Sequence, residues 1–479
     1  MSELPLYPMT IDGKPVLAAT TFDVINPASG TAFARVAAGD ATHVDAAVAA
    51  ARIAFPAWAA LPDGERSRLI GALAGVLQAN MPELMRLVTL ETGKPQDGLN
   101  HVGAGMEVGG AIAWTQATSQ LALPVEVVQD NAEARVEVHR KPLGVVGSIT
   151  PWNWPLMIAI WHIMPALRAG NTVVLKPSEL TPVTTARFVE LANAILPPGV
   201  LNLVTGAAGS AVGPAMTTHP GIEKIVFTGS TVTGRKIMGN AAATLKRLTL
   251  ELGGNDAGIV LPDVDVKAVA PKLFAAAFHN NGQTCACLKR LYVHESMYDE
   301  LCAELVALAR AVKVGDGFDP ASELGPIQNR MQLEKVEAIA ADARREGGQF
   351  LCGGERLPGP GYFYAPTIVA GLDEGSRLVD EEPFGPILPV IKYSDVDEVI
   401  LRANRNSNGL GGSIWSCDLA RAAALASRLE CGTVWVNEHG AVQPDAPFGG
   451  IKQSGIGVEF GLHGLEEFTS IQTIKVMRG

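Results

Sequence analysis

Gly144-Val145-Val146-Gly147-Ser148-Ile149, Thr172-Val173-Val174-Leu175 and Ile225-Val226-Phe227 are short apolar runs separated by stretches of helical character such as Pro182 to Ile195. Runs this short and unbroken suit strands buried on both faces, and their alternation with helices predicts a parallel sheet flanked by helices. The rhythm returns after Leu252, with strands expected near Arg290 to His294, Ile387 to Lys392, Ser413 to Ser416 and Thr433 to Asn437. Helices at Asp299 to Val312 and Met331 to Glu346 lie between them, so a second α/β domain of similar architecture follows the first. The first hundred residues carry helical periodicity instead. Asp40 is placed to cap a helix from Ala41 to Phe55 that Pro56 would stop, and Asp63 to cap another from Gly64 to Gln78. Between these regions, Thr118 to Arg140 contains the alternating segment Ala134-Arg135-Val136-Glu137-Val138-His139, which suits an antiparallel pair; a surface hairpin and an oligomerisation arm fit it equally.

The 479 residues exceed what one small core needs and fit two or three domains, and 47% hydrophobic against 18% charged residues is a globular balance. A net charge of −11 argues against nucleic acid as a partner, because phosphate backbones are held by basic stripes. No run reaches the roughly 18 apolar residues of a membrane span, and Met1-Ser2-Glu3-Leu4-Pro5 lacks the features of a signal peptide. The six cysteines show neither a CxxC pair nor zinc spacing, so no metal is expected and the thiols read as reduced in a cytoplasmic chain.

Phe278-His279-Asn280-Asn281-Gly282-Gln283-Thr284-Cys285 ends an alanine-rich helical run in a polar, glycine-containing loop that presents a thiol. Such a loop lets a sulfur and a backbone N–H address one carbonyl. A cysteine taken alone is more often a small buried hydrophobe, which is the reading for Cys302, Cys352, Cys417 and Cys431, while Cys287 is a packed neighbour or a resolving thiol. Leu248-Thr249-Leu250-Glu251-Leu252-Gly253-Gly254-Asn255 sets one carboxylate among apolar residues. Desolvation raises the pKa of such a group and suits it to general-base work near neutrality; the competing reading is a strand-end ion pair with Arg247.

Glu251 in its LELGG context, followed by Cys285 in FHNNGQTC, closely resembles the paired signatures of the aldehyde dehydrogenase superfamily. Further matches stand in order along nearly the whole chain: Pro151-Trp152-Asn153-Trp154-Pro155, Lys176-Pro177-Ser178-Glu179, Phe227-Thr228-Gly229-Ser230, Glu381-Glu382-Pro383-Phe384-Gly385-Pro386 and Pro447-Phe448-Gly449-Gly450-Ile451-Lys452-Gln453-Ser454-Gly455. The resemblance implies two Rossmann-like parallel α/β domains and a small antiparallel β arm for oligomerisation. Residues 1–118 and 143–252 would form the NAD-binding domain, 253–452 the catalytic domain, and 119–142 with 453–479 the arm and C-terminal tail. It further implies that Cys285 attacks an aldehyde, that the Asn153 amide and the Cys285 N–H hold the oxyanion, and that Glu251 activates the water hydrolysing a thioester.

For the cofactor, the resemblance assigns the pyrophosphate to Gly229 and Ser230, which follow an expected strand and open a helix. Arg235-Lys236-Ile237 after the second glycine excludes a P-loop. Lys176 and Glu179 match the pair gripping the adenosine ribose, so NAD+ is favoured over NADP+, which a swinging Glu179 would still admit. Glu382 matches the residue holding the nicotinamide ribose and Phe384 the ring packing near the nicotinamide, and Trp152 is a further cofactor-binding residue. The substrate channel would be lined by Trp154, Ile158, Trp161, Thr284, Ala286, Val442 and Phe448, an apolar set that favours an aromatic or medium aliphatic aldehyde, with Glu438, His439 and Asp445 as polar groups at its mouth.

Three positions depart from the family pattern: His162 stands where many members carry Lys, Val458 replaces an Arg, and Ala257 a frequent Pro. His162 would then join Glu459 in a proton relay. The alternating tail Phe468 to Val476 resembles the family's arm-pairing strand, implying a homodimer or homotetramer. A CoA-acylating dehydrogenase would need no base such as Glu251, and a non-catalytic protein of this fold would have no use for Cys285, Glu251 and Asn153 together. A papain-like hydrolase needs a histidine base that nothing singles out at His279 or His439.

Overall fold

Strand Val145–Ile149 lies in the middle of an eight-stranded sheet, and the computed structural model describes residues 4–478 around it. The spatial order is Gly455–Ile456, Arg247–Glu251, Lys224–Thr228, Val145–Ile149, Thr172–Lys176, Leu201–Leu203, Met9–Ile11 and Lys14–Val16. The five strands from Arg247–Glu251 to Leu201–Leu203 are parallel and almost wholly buried, as the apolar runs require. Chain order reverses between Val145–Ile149 and Lys224–Thr228. In an open parallel sheet the crevice beyond the strand ends at such a reversal is where ligands bind, and Trp152, Asn153, Gly229 and Ser230 follow these two ends.

A seven-stranded sheet in the order Gln349–Cys352, Thr367–Ala370, Ile387–Tyr393, Leu288–His294, Asp256–Val260, Gly411–Trp415 and Thr433–Val436 forms the second half. All but the edge strand Gln349–Cys352 run parallel. The two sheets face the site with opposite ends: Glu251 closes a strand of the first, whereas Cys285 leads into Leu288–His294 of the second. A separate antiparallel sheet of Glu126–Asp130, Ala134–Pro142 and Thr469–Met477 completes the frame, its last two strands paired from Thr469 opposite Pro142 to Met477 opposite Ala134.

Several local expectations are corrected. The helix Ala41–Ala59, capped by Asp40 as expected, continues through Pro56. One further turn buries Trp58, whose indole N–H donates to the Leu167 carbonyl at 3.1 Å, and this tertiary contact outweighs the roughly 3 kcal/mol penalty of an interior proline. Asp63 is not a cap but the first residue of helix Asp63–Ala79; its carboxylate takes a two-pronged bond from Arg168 at 2.5 and 2.7 Å. The first hundred residues also hold strands without a helical signal: Met9–Ile11 and Lys14–Val16 extend the first sheet, and Thr21–Asn26 pairs with Thr31–Ala37. Residues 453–479 do not act as one tail, since Gly455–Ile456 joins the first sheet beside Glu251 before the chain reaches the arm. Cys417 is exposed rather than packed inside.

Candidate active site

The thiol loop is built from an uncommon backbone. Helix Val266–Phe278 ends and Asn280, Asn281 and Gly282 take successive left-handed conformations, at φ of 49°, 56° and 69°. Asparagine and glycine are the residues that tolerate this region. Gly282 is required for a second reason: a Cβ there would lie 2.4 Å from the Gly385 carbonyl oxygen, so no side chain fits between the two loops. Asn281 donates its side-chain amide to the Gly325 carbonyl, and Gln283 accepts from the Gln328 N–H at 2.9 Å, which pins the loop on both sides of the turn.

Asn153 follows strand Val145–Ile149 and is buried against this loop, where its side-chain amide donates to the Gln283 carbonyl at 2.9 Å. Its own carbonyl accepts from Lys94 Nζ at 3.1 Å and from the Asn280 amide at 3.3 Å. Lys94 is wholly buried, 2.5 Å from the Glu107 carboxylate and 3.3 Å from the centroid of the Trp154 ring. Glu107 in turn accepts from the backbone N–H of Leu156 at 3.0 Å, at the start of helix Pro155–Arg168. One buried ion pair therefore holds both the Asn153 backbone and the helix carrying Ile158, Trp161 and His162.

Glu251 is 3% exposed, and neither carboxylate oxygen has a hydrogen-bond partner among the described residues, so the alternative of an ion pair with Arg247 fails. Burial, then the nearby Glu459 carboxylate, push its pKa well above the ordinary value. Its backbone is fixed by the Gly229 N–H, which donates to the Glu251 carbonyl at 2.9 Å. Glu459 lies at 3.2 Å from His162 Nε2, and His162 is fully buried with Nδ1 2.9 Å from Ser148 Oγ and Nε2 3.0 Å from Thr228 Oγ1. Backbone bonds pair Glu459 with Phe448 in both directions, so the acid of this cluster and an aromatic of the cavity wall share one local ladder.

Burial pushes the Cys285 thiol up to about 12; the Lys289 ammonium pulls the other way, against Glu251, Glu382 and Asp256. A cavity of about 720 Å³ opens onto Cys285, and Trp154, Ile158, Trp161, Thr284, Ala286, Val442 and Phe448 all line it. Trp114, which the sequence pattern did not single out, adds a further aromatic wall, with ring centroids 5.6 Å from Trp161 and 5.4 Å from Phe460. Glu438 lines the cavity from an exposed position; His439 also lines it, but its Nδ1 lies 2.9 Å from buried Ser413 Oγ. Asp445 is not among the lining residues.

On the crevice side, Ser230 caps helix Thr231–Ala241 through the Thr233 N–H, leaving that exposed N-terminus beside Gly229. A Cβ on Gly229 would strike the Phe227 ring at 2.5 Å. Lys176 sits 3.9 Å from Glu179, its pKa lowered by burial against the pull of that carboxylate. Trp152 and Phe384 meet edge to face at 5.3 Å, and Glu382 lies 2.8 Å from Lys289 Nζ and over Gly253, where a Cβ would be 2.4 Å from its Oε2. A helix N-terminus, a lysine–glutamate pair and an aromatic pair along one crevice fit a dinucleotide.

Lys94, Glu107, Trp114 and Lys289 are the residues that sequence reasoning missed. The signal available for Lys289 was a cation at the mouth of an apolar strand, in Ala286-Cys287-Leu288-Lys289-Arg290, where burial without a partner would be prohibitive.

The two-sheet α/β frame thus brings a thiol close to a buried carboxylate that has no hydrogen-bond partner among the described residues, and the comparisons with known proteins give the class of protein built this way. The chain belongs to the aldehyde dehydrogenase family, whose model matches residues 16–474. It is an aldehyde dehydrogenase, an enzyme oxidising the aldehyde group of its substrate. Phenylacetaldehyde dehydrogenase of Pseudomonas fluorescens is 41% identical, over 98% of this chain and 96% of its own. Among solved structures, an aldehyde dehydrogenase of Bacillus cereus in complex with NAD+ superposes with a TM-score of 0.94 at 35% identity, covering 98% of this chain and 96% of that one. A betaine aldehyde dehydrogenase of Staphylococcus aureus, also in complex with NAD+, gives 0.95 at 33% identity, with 98% and 95% covered.

Proposed function

We propose that this enzyme oxidises aromatic or medium aliphatic aldehydes to carboxylic acids with NAD+, through a thioester on Cys285 that Glu251 helps to hydrolyse. The observation that carries this reading is the meeting of an aromatic-walled cavity with Cys285 while a buried carboxylate, without a hydrogen-bond partner among the described residues, stands nearby.

Cys285 adds to the aldehyde carbon, and its thiol proton passes to solvent water in the cavity as the sulfur–carbon bond forms. The oxyanion is held by the Cys285 N–H and by the Asn153 amide, one of whose two protons is committed to Gln283 while the second remains for the ligand. Gly229 and Ser230 would hold the pyrophosphate, Lys176 and Glu179 the adenosine ribose, and Glu382 and Phe384 the nicotinamide end, with Trp152 packed against Phe384. When bound, NAD+ supplies the acceptor for the hydride leaving the substrate carbon. Glu251 then takes a proton from water as the water attacks the thioester; the carbon–sulfur bond breaks, the acid departs, and the sulfur takes up a proton from solvent to restore the thiol. Glu459 and His162, 3.2 Å apart, pass that proton on from Glu251. Glu179 repels a 2′-phosphate, which favours NAD+ over NADP+.

The walls Trp114, Trp154, Trp161 and Phe448 suit a flat or aliphatic substrate, and the related phenylacetaldehyde dehydrogenase supports an arylalkyl aldehyde. The arm presents Val127, Val128, Ile471, Ile474 and Val476 to solvent on its two edge strands, a surface that a second copy would cover in a homodimer or dimer of dimers. Free thiols in all six cysteines support a cytoplasmic setting, and no helix among the described residues is long and apolar enough to cross a membrane.

An aldehyde panel assayed with NAD+ and with NADP+ tests the substrate and cofactor readings together. NADH formation should be highest with arylalkyl and medium aliphatic aldehydes and vanish in Cys285→Ala. Acyl-CoA formation dependent on added CoA would replace the hydrolytic mechanism with the acylating one.

A further inference from the structure

Lys289 has no part in the mechanism above, yet its side chain is only 3% exposed and its ammonium lies beside the Glu382 carboxylate. It donates to the Cys285 carbonyl and sits 2.8 Å from Glu382 Oε1. The Gly254 N–H donates to the same Oε1 at 3.3 Å, so both contacts fall on one carboxylate oxygen while Oε2 is turned over Gly253. We propose that Lys289 is a positioning residue that ties the nucleophile loop and Glu382 to a single ammonium, presenting the thiol on one side and the free carboxylate oxygen to the cofactor ribose on the other.

The geometry explains why a lysine is tolerated there. Burial alone would drive the ammonium towards its neutral form, but the Glu382 and Asp256 carboxylates outweigh it and hold the pKa above the usual value, so the group is charged throughout the working range. A fixed cation bonded to the carbonyl of the nucleophile's own residue favours the thiolate over the thiol. Glu251, Glu382 and Asp256 act on the same thiol in the opposite sense. Lys289 is thus the counterweight to three carboxylates. Its second effect is on recognition: an Oε1 already held by two donors spares Glu382 the ordering cost that a loose side chain would incur on binding.

The proposal rests on Cys285 as nucleophile and Glu382 as ribose ligand, and its test is separable from both because it needs no turnover. The rate of Cys285 alkylation by iodoacetamide, mapped to its peptide, is measured against pH in the cofactor-free protein for wild type, Lys289→Gln and Glu382→Gln. Removing the cation should slow alkylation at pH 8 by at least fivefold and move the profile to higher pH. Removing its counter-charge in Glu382→Gln should speed it. Lys289→Arg should restore most of the wild-type rate. NAD+ binding, followed by quenching of tryptophan fluorescence, should weaken at least fivefold in Lys289→Gln. Structural damage would slow or disorder both neutral variants alike; the opposite signs are the signature of the charge pair. Equal profiles in all variants, or shifts of one sign, would overturn the proposal, and should Lys289→Gln not fold, the rate in Glu382→Gln decides alone. Retained NADH formation in Cys285→Ala would instead overturn the reading beneath it.

Discussion

Replacing Glu251 by glutamine separates two consequences of one buried charge. The carboxylate has no hydrogen-bond partner among the described residues, and burial followed by Glu459 raises its pKa well above the ordinary range. A group whose folded pKa lies above its unfolded one contributes stability that is full below the unfolded pKa and lost as pH rises through the folded value. The wild type therefore weakens on the alkaline side, where Glu251 must ionise without a partner, and Glu251→Gln, which has no charge to bury, should be the more stable protein there, each pKa unit between the folded and unfolded states being worth about 1.4 kcal/mol. Activity should move the other way. A general base contributes about 10²–10⁴-fold, so steady-state NADH formation should fall by at least about 10², or about 2.7 kcal/mol of barrier. Acylation does not need the base, so stopped-flow traces should keep a burst of NADH close to one per active site. Denaturant unfolding at pH 6 and pH 9 reads the first consequence and the burst experiment the second. Undiminished steady-state turnover, or a variant less stable than wild type at pH 9 but not at pH 6, would refute the assignment.

Asn153→Ala should lower kcat by about 10²–10³ with a smaller change in KM, as expected for a donor that acts on the developing oxyanion; equal loss in KM and unchanged kcat would relocate it to ground-state binding. Trp161→Ala opens the wall between Trp114 and Phe460 and should raise KM for phenylacetaldehyde about tenfold while short aliphatic aldehydes change less, as steady-state kinetics would show. Ile474→Asp places a charge on the exposed apolar edge of the arm and should shift sedimentation to a smaller species; unchanged sedimentation would move the interface elsewhere.

The alternation of short apolar runs with helices made both parallel sheets legible, because strands buried on both faces must be apolar throughout. The thiol, the carboxylate and Asn153 were legible through ordered motifs. Trp114 was not: its helix, Ala104–Gln120, reads as ordinary core, and only the packing of Phe460 beside it shows which way the indole turns. Lys94 and Lys289 escaped for a related reason. A charged residue in a sequence is read as solvent-facing, and its buried partner, Glu107 or Glu382, lies too far along the chain for any local spacing to announce it. Pro56 misled in the opposite direction, since a strong local rule yielded to the burial of Trp58.

The close approach of Gly282 to the Gly385 carbonyl divides the molecule into parts that tolerate change differently. The thiol loop and the segment bearing Glu382 and Phe384 meet backbone to backbone at this point, so a main-chain contact, alongside the Lys289 tie, sets how far the thiol stands from that segment. The cavity walls contributed by helix Pro155–Arg168 and by residues 436–442 lie outside that joint. They can be repainted to admit a different aldehyde while the chemical chassis stays where it is, which marks Trp161, Ile158 and Val442 as the places to begin redesign and Gly282 as the place to leave alone.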